Sequence, residues 1–365
     1  MQTVFKERVL KVLAYKEKNQ LNAAIETRAP TPNLSLSLRN LLLTEITSDI
    51  LEEGPHVKEL AAKIRAEDTF YTLRKREAYR RVTGVDAGSQ IIPLASRRYA
   101  VIGAMAYSLN DGHRYFLAPE SISHPYRYSR DRFPSTVNLR REAKLYETAT
   151  RFLEEQGEPE LLLIDGPLAF SNMWSNAGRE EDRRRLIEAV KGLLKKCRRL
   201  GVVAAGVVKR PSARYMIHCL GLQDETDLSD SFLMLHALEP GQRTDVFSPR
   251  TAMRMASRGS GFMDAVEEPI YSFYARLTGE WSIPPIRIDL PAFCLSEIDD
   301  VADYCYSTSL HNGVPLAIVK ADEGVKVTRR FISDVYSEIV TRVGREVGEV
   351  SQLAPYWGEG EWMGA

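Results

Sequence analysis

Two apolar runs in this chain each end on an aspartate followed at once by a small residue: Thr83-Gly-Val-Asp86-Ala-Gly-Ser89 and Leu161-Leu-Leu-Ile-Asp165-Gly-Pro167. Four consecutive apolar residues, Leu161 to Ile164, predict a strand buried on both faces. A carboxylate at the carboxyl end of such a strand is held by the sheet and faces a crevice, where an adjacent glycine lets a ligand come close. An unpaired carboxylate is costly there, so two of them invite a shared cation. Asp-Gly and Asp-Ala-Gly are also ordinary turn sequences, which is the alternative reading of Asp86 taken alone.

Charge and cysteine usage narrow the class. With 49 basic and 49 acidic residues in 365, the formal charge is zero and no global basic field announces nucleic acid. The distribution is uneven: Arg74, Lys75, Arg76, Arg80 and Arg81 precede the first aspartate, and Arg127, Arg130, Arg132, Arg140 and Arg141 precede the second. Two such clusters beside the acids favour a polyanionic substrate over a merely solvated face. The cysteines (Cys197, Cys219, Cys294, Cys305) form no Cys-x-x-Cys pair and have no histidine at zinc spacing. They read as reduced thiols of a cytoplasmic protein. The charged N-terminus is unlike a signal peptide, and no run approaches a membrane span.

The predicted fold class is α/β. Residues 1–80 read as a helical arm broken by Pro30 and Pro32. Strands are expected at 82–87, 98–108 and 113–118 as an antiparallel meander, then a helix at 138–156, a strand at 160–165, a helix at 180–200 and a strand at 202–209. Residues 210–290 look like an insertion with one strand candidate at Ile270 to Leu277. A helical stretch near 296–308, a strand at 315–321 and a helix at 328–347 complete a domain over 81–350, and 351–365 forms a tail.

The third acid is chosen by helical geometry. Stepping back three residues from Leu145, on the apolar stripe Leu145, Ala149, Phe152, reaches Glu142, whereas Glu147 falls with Thr150, Arg151 and Glu154 on the polar side. Glu142 is favoured and Glu147 is the alternative. Asp322, or its neighbour Glu323, follows the apolar run 315–321 and supplies a fourth acid, unless it merely starts the next helix. Lys209 ends the 202–209 strand and offers a cation to a phosphate. His218 and His311 are lone histidines with no cluster around them. Carboxylate oxygens suit hard divalent ions such as Mn²⁺ and Mg²⁺.

These motifs, with Val208-Lys-Arg-Pro211, Phe273-Tyr274, Asp289-Leu-Pro291 and Gly313-Val-Pro315 leading to Ala321-Asp322, resemble the NurA nuclease family of the RNase H-like superfamily over about 82–345. The resemblance implies an RNase H-like mixed sheet flanked by helices. It further implies an Mn²⁺-preferring DNA nuclease, with Mg²⁺ as the alternative, whose metal ligands match Asp86, Glu142, Asp165 and Asp322. A homodimer acting on single- and double-stranded DNA ends with a HerA-type hexameric ATPase, in end resection and break repair, is implied as well. Two positions depart from the family's usual pattern: Val314 stands where tyrosine is common and Asp322 where histidine is common, the latter reading as a ligand substitution. The competing readings are an actin-like sugar kinase or ATPase, since Asp86-Ala-Gly88-Ser89 also suits a phosphate loop, and a catalytically silent DNA-binding regulator of a helicase.

Overall fold

The computed structural model describes residues 34–94, 97–125, 132–170, 178–256, 261–348 and 350–354. Arg127, Arg130, the first helical segment expected before residue 34 and most of the tail lie outside the described residues. The chain divides into two units, Met1–Glu59 and Leu60–Ala365. In order, the elements are α1 (Leu34–Glu67), β1 (Phe70–Thr72), β2 (Val82–Pro93), β3 (Arg97–Ser108), β4 (Arg114–Phe116), β5 (Glu120–Pro125), α2 (Arg132–Glu155), β6 (Leu161–Ile164) and α3 (Glu180–Leu200). There follow β7 (Val203–Val208), α4 (Tyr215–Cys219), α5 (Asp230–Ala237), β8 (Gln242–Thr244), α6 (Pro249–Met255), α7 (Gly261–Val266), β9 (Ile270–Arg276) and β10 (Ile286–Pro291). Three helices close the chain: α8 (Ile298–Thr308), α9 (Leu316–Val325) and α10 (Arg329–Val347).

Ten strands form one mixed sheet in the order β1-β8-β9-β10-β7-β6-β2-β3-β4, with β5 also on β3. β2, β6 and β7 run parallel, so their carboxyl ends share one edge. Those parallel neighbours are reached through helical crossovers, as parallel pairing demands. β6 is central, and all four of its residues are buried. α3 carries Glu180, Glu181 and Asp182 in its first turn and Arg198 and Arg199 in its last, matching the helix dipole. It stops at Gly201, whose left-handed φ of 68° lets Val202 N–H donate back to Cys197 O at 3.0 Å.

The two sheet faces are covered differently. Residues facing each other across β2 and β3 share a side, so Gly84 and Asp86 lie with Tyr107 and Met105. On the other side Ala100 and Ile102 pack with Phe133 and Val137 of α2. The first side belongs to the larger core, in which Val82, Leu161, Leu163, Val207 and Ile288 meet Val301, Ala302 and Cys305 of α8 and Ala317 and Ile318 of α9.

Three expectations need correction. The run 315–321 is helical: Ala317, Ile318 and Ala321 are buried at helical spacing, and Asp322 lies inside α9. Thr328 caps the next helix, accepting from Phe331 N–H at 3.1 Å, so Asp322 does not start it. The region 210–290 supplies β8, β9 and β10 to the same sheet, and β10 pairs with β7 between Arg287↔Val208 and Asp289↔Gly206.

α9 reaches the sheet because β2 has no side chain at two points. A Cβ on Gly84 would lie 2.1 Å from the Ala317 carbonyl oxygen, and one on Gly88 2.2 Å from that of Val325. Both contacts are with backbone, which cannot swing aside. Gly84→Ala is therefore expected to lower stability by about 1–3 kcal/mol or more. Gly103→Ala is the control, since its Cβ position is open within 4 Å. Equal urea midpoints for the two variants would refute this account of the close approach.

Candidate metal centre

Asp86 and Asp165 are neighbours because the β2–β6 ladder runs one residue beyond its last pair. Val85 pairs with Ile164, and Asp165 N–H donates to Val85 O at 2.8 Å. Asp322 descends from α9, which the β2 glycines admit. One carboxylate oxygen from each of Asp86, Asp165 and Asp322 lies within 4.8 Å of the others. Among the described residues this is the one cluster of three or more histidine, cysteine or acidic side chains close enough to hold an ion.

Lys209, just past the end of β7, stands over the acids with Nζ 2.5 Å from Asp165 Oδ2 and 3.7 Å from Asp322 Oδ1. Burial opposes its charge, but the Asp165, Asp86 and Asp322 carboxylates outweigh it and hold the amine above the ordinary lysine range. Asp86 is buried and accepts from Ala87 N–H at 2.6 Å. Burial first, and then the neighbouring Asp165 charge, pushes Asp86 up to about 8. Burial also raises Asp165, although Lys209 opposes the shift.

Glu142 on α2 is buried, and burial raises its carboxyl. Its Oε1 accepts from Arg141 Nη2 at 2.5 Å, while its Oε2 has no hydrogen-bond partner among the described residues. That oxygen lies 3.3 Å from where a Cβ on Gly166 would sit, which puts it beside the residue following Asp165. Glu147 has a different occupation: Arg185 donates to both of its oxygens at 2.7 Å and also grips Glu120. Glu323 is tied to Lys320 at 2.8 Å. His218 belongs to α4, and neither it nor His311 joins the cluster.

The donor set fits a hard divalent ion. Four acids outnumber the two adjacent cations, Lys209 and Arg141, and one buried Glu142 oxygen is left without a donor. Hard oxygen donors are what Mn²⁺ and Mg²⁺ take. Arg141 carries no motif of its own in the sequence. Its adjacency to Glu142 on a helix with a sheet-facing stripe was the available signal. The basic clusters are partly neutralised: Arg76 pairs with Asp300 at 2.9 Å, Arg81 with Glu160 at 3.6 Å and Arg140 with Asp182 at 2.7 Å.

The NurA domain model matches residues 80–327, most of the chain, and the protein belongs to the NurA family. The crystal structure of the NurA nuclease from Sulfolobus solfataricus aligns with a TM-score of 0.61 at 16% identity, covering 84% of this chain and 96% of that one. A crystal structure of NurA with manganese aligns with a TM-score of 0.51 at 12% identity, covering 83% of this chain and 98% of that one. The RNase H-like mixed sheet expected from the sequence is thus the fold of this protein. No curated protein matches the sequence significantly. Among the described residues no helix is long and apolar enough to cross a membrane.

Proposed function

We propose that this protein is a divalent-metal-dependent deoxyribonuclease that uses Mn²⁺, with Mg²⁺ as a substitute, to hydrolyse phosphodiesters. The observation that carries this reading is the convergence of Asp86, Asp165 and Asp322 to within 4.8 Å beneath Lys209. Asp86, Asp165, Asp322 and Glu142 would hold the metal, which when bound supplies Lewis-acid stabilisation of phosphoryl oxygens and an activated water. Lys209 neutralises part of the carboxylate charge and can donate to a phosphate oxygen, which lowers the repulsion a DNA backbone meets on entering. Arg141 fixes one oxygen of Glu142 and leaves the other for the site. Family membership replaces the sugar-kinase alternative.

Within this reading the nuclease domain spans about 81–350, between the arm over 1–80 and the tail over 351–365. Family membership supports action on single- and double-stranded DNA ends, as a homodimer, with a HerA-type hexameric ATPase in end resection and repair. Four free cysteines are in keeping with a reducing, cytoplasmic setting. The test is direct: labelled single- and double-stranded DNA incubated with the purified protein and Mn²⁺, Mg²⁺ or EDTA. Cleavage with Mn²⁺ and none with EDTA is expected; equal DNA loss with and without EDTA, or none at all, refutes the proposal.

The substitution of aspartate at position 322 has its own expected outcome. Asp322→Ala should slow cleavage at least about tenfold, a barrier rise of roughly 1.4 kcal/mol. Excess Mn²⁺ should partly restore the rate, and the thermal midpoint should move little, because Thr328 already caps α10. Normal cleavage at limiting Mn²⁺ would remove Asp322 from the ligand set.

A further inference from the structure

Directly after Asp165, at the end of β6, the chain turns through Gly166, Pro167, Leu168, Ala169 and Phe170, and this turn is gripped by one carboxylate from a distant strand. Asp289 of β10 is fully buried, and its Oδ2 accepts from both Leu168 N–H at 3.0 Å and Ala169 N–H at 3.1 Å. Its Oδ1 accepts from Ser272 Oγ at 2.6 Å and Arg287 Nε at 2.8 Å. Arg287 is buried as well, and its Nη2 donates to Asp289 Oδ2 at 3.1 Å and to Ala169 O at 3.3 Å. On the other side Tyr146 of α2 donates its hydroxyl to Pro167 O. Tyr146 lies four residues beyond Glu142, one turn along the same helix.

A buried ion pair contributes little net stability compared with apolar residues of the same size, so stability alone is a weak reason for this one. What it does locally is specific. Two consecutive backbone donors converge on one charged oxygen, and such charge-assisted pairs add geometric specificity as well as strength. The turn so fixed begins at Asp165, and through Tyr146 it is keyed to the helix that carries Glu142.

We infer that Asp289 is a positioning residue: paired with Arg287, it locks the turn after β6 and thereby sets the Asp165 carboxylate against Asp86 and Glu142. This inference rests on the nuclease reading above, because the geometry it protects is that of the metal site. It does not place Asp289 among the groups that touch metal or DNA.

The experiment measures Mn²⁺ affinity by calorimetry alongside DNA cleavage in the full-length wild type, Asp289→Asn and Ser272→Ala, with thermal midpoints for each. Ser272→Ala removes a hydrogen bond from the same carboxylate without touching the turn. Asp289→Asn is expected to weaken Mn²⁺ binding at least about tenfold and to slow cleavage, while Ser272→Ala lowers the midpoint but keeps Mn²⁺ affinity within about twofold. A folded Asp289→Asn protein with wild-type Mn²⁺ affinity overturns the positioning role, as does an equal loss in Ser272→Ala. If the charge left on Arg287 prevents Asp289→Asn from folding, the double variant Arg287→Met with Asp289→Leu removes both charges, and wild-type Mn²⁺ affinity there overturns the role equally. A wild type that binds no Mn²⁺ and cleaves no DNA overturns the nuclease reading itself, and the positioning role with it; the wild-type lane therefore separates the two failures.

Discussion

Asp86→Asn is expected to abolish cleavage, by at least about a thousandfold, which is roughly 4 kcal/mol of barrier, while making the metal-free protein more stable at pH 8. The two effects share one cause. Burial and the adjacent Asp165 raise the Asp86 carboxyl from 3.8 to about 8, so the folded protein takes up a proton that the unfolded chain releases. The stability this provides is complete below about pH 4 and is lost as pH rises through about 8. Asparagine cannot ionise, so the variant escapes that loss. Mn²⁺ should offset it in the wild type by binding only the folded state, and should do little for the variant. The check is a set of thermal midpoints at pH 5 and 8, with and without Mn²⁺, beside a cleavage assay. An Asp86→Asn protein that retains Mn²⁺-dependent cleavage would contradict the site.

The second large effect separates two glutamates on one helix. Glu142→Gln should reduce cleavage by about a hundredfold or more, near 3 kcal/mol, because it alters the buried oxygen that lies beside the Asp165 turn. Glu147→Gln should leave turnover within a few-fold and show its effect in stability. It weakens the Arg185 bridge that joins Glu147 to Glu120, partly exposed and therefore a modest contribution. Cleavage rates and urea midpoints of the two variants decide the matter, and the reverse ranking would exclude Glu142 from the ligand set.

Much of this architecture was legible because local signals agreed. Leu161–Ile164, four apolar residues stopped by Asp165-Gly-Pro167, read as a strand buried on both faces, and α3 carried acids at its start, arginines at its end and Gly201 as a stop. The α2 stripe pointed to Glu142 through helical spacing alone. The acids at strand ends were visible for the same reason: a buried strand ending on Asp-Gly leaves few places for the charge to go.

Where reading failed, the periodicity was ambiguous. Leu316-Ala-Ile-Val is short enough to fill a strand or one face of a buried helix, and tertiary packing decided for the helix through glycines far away on β2. Pro315 at the helix N-cap was the overlooked sign. β10 was hidden for a different reason. Its alternation of Ile286, Ile288 and Leu290 with Arg287 and Asp289 reads as a half-exposed strand, yet all five residues are buried because the two charges satisfy each other. Nor could the arginine clusters be weighed from sequence, since Asp300, Glu160 and Asp182, which pair with Arg76, Arg81 and Arg140, are remote in the chain.

The central claim is that Asp86, Asp165, Asp322 and Glu142 hold a divalent ion, and it is tested most directly by the anomalous difference map of a crystal soaked in Mn²⁺. A strong peak among the oxygens of Asp86, Asp165 and Asp322, with the ammonium of Lys209 displaced from Asp165, is the predicted result. A map with no peak there at saturating Mn²⁺, or with its peak on other side chains, would contradict the account.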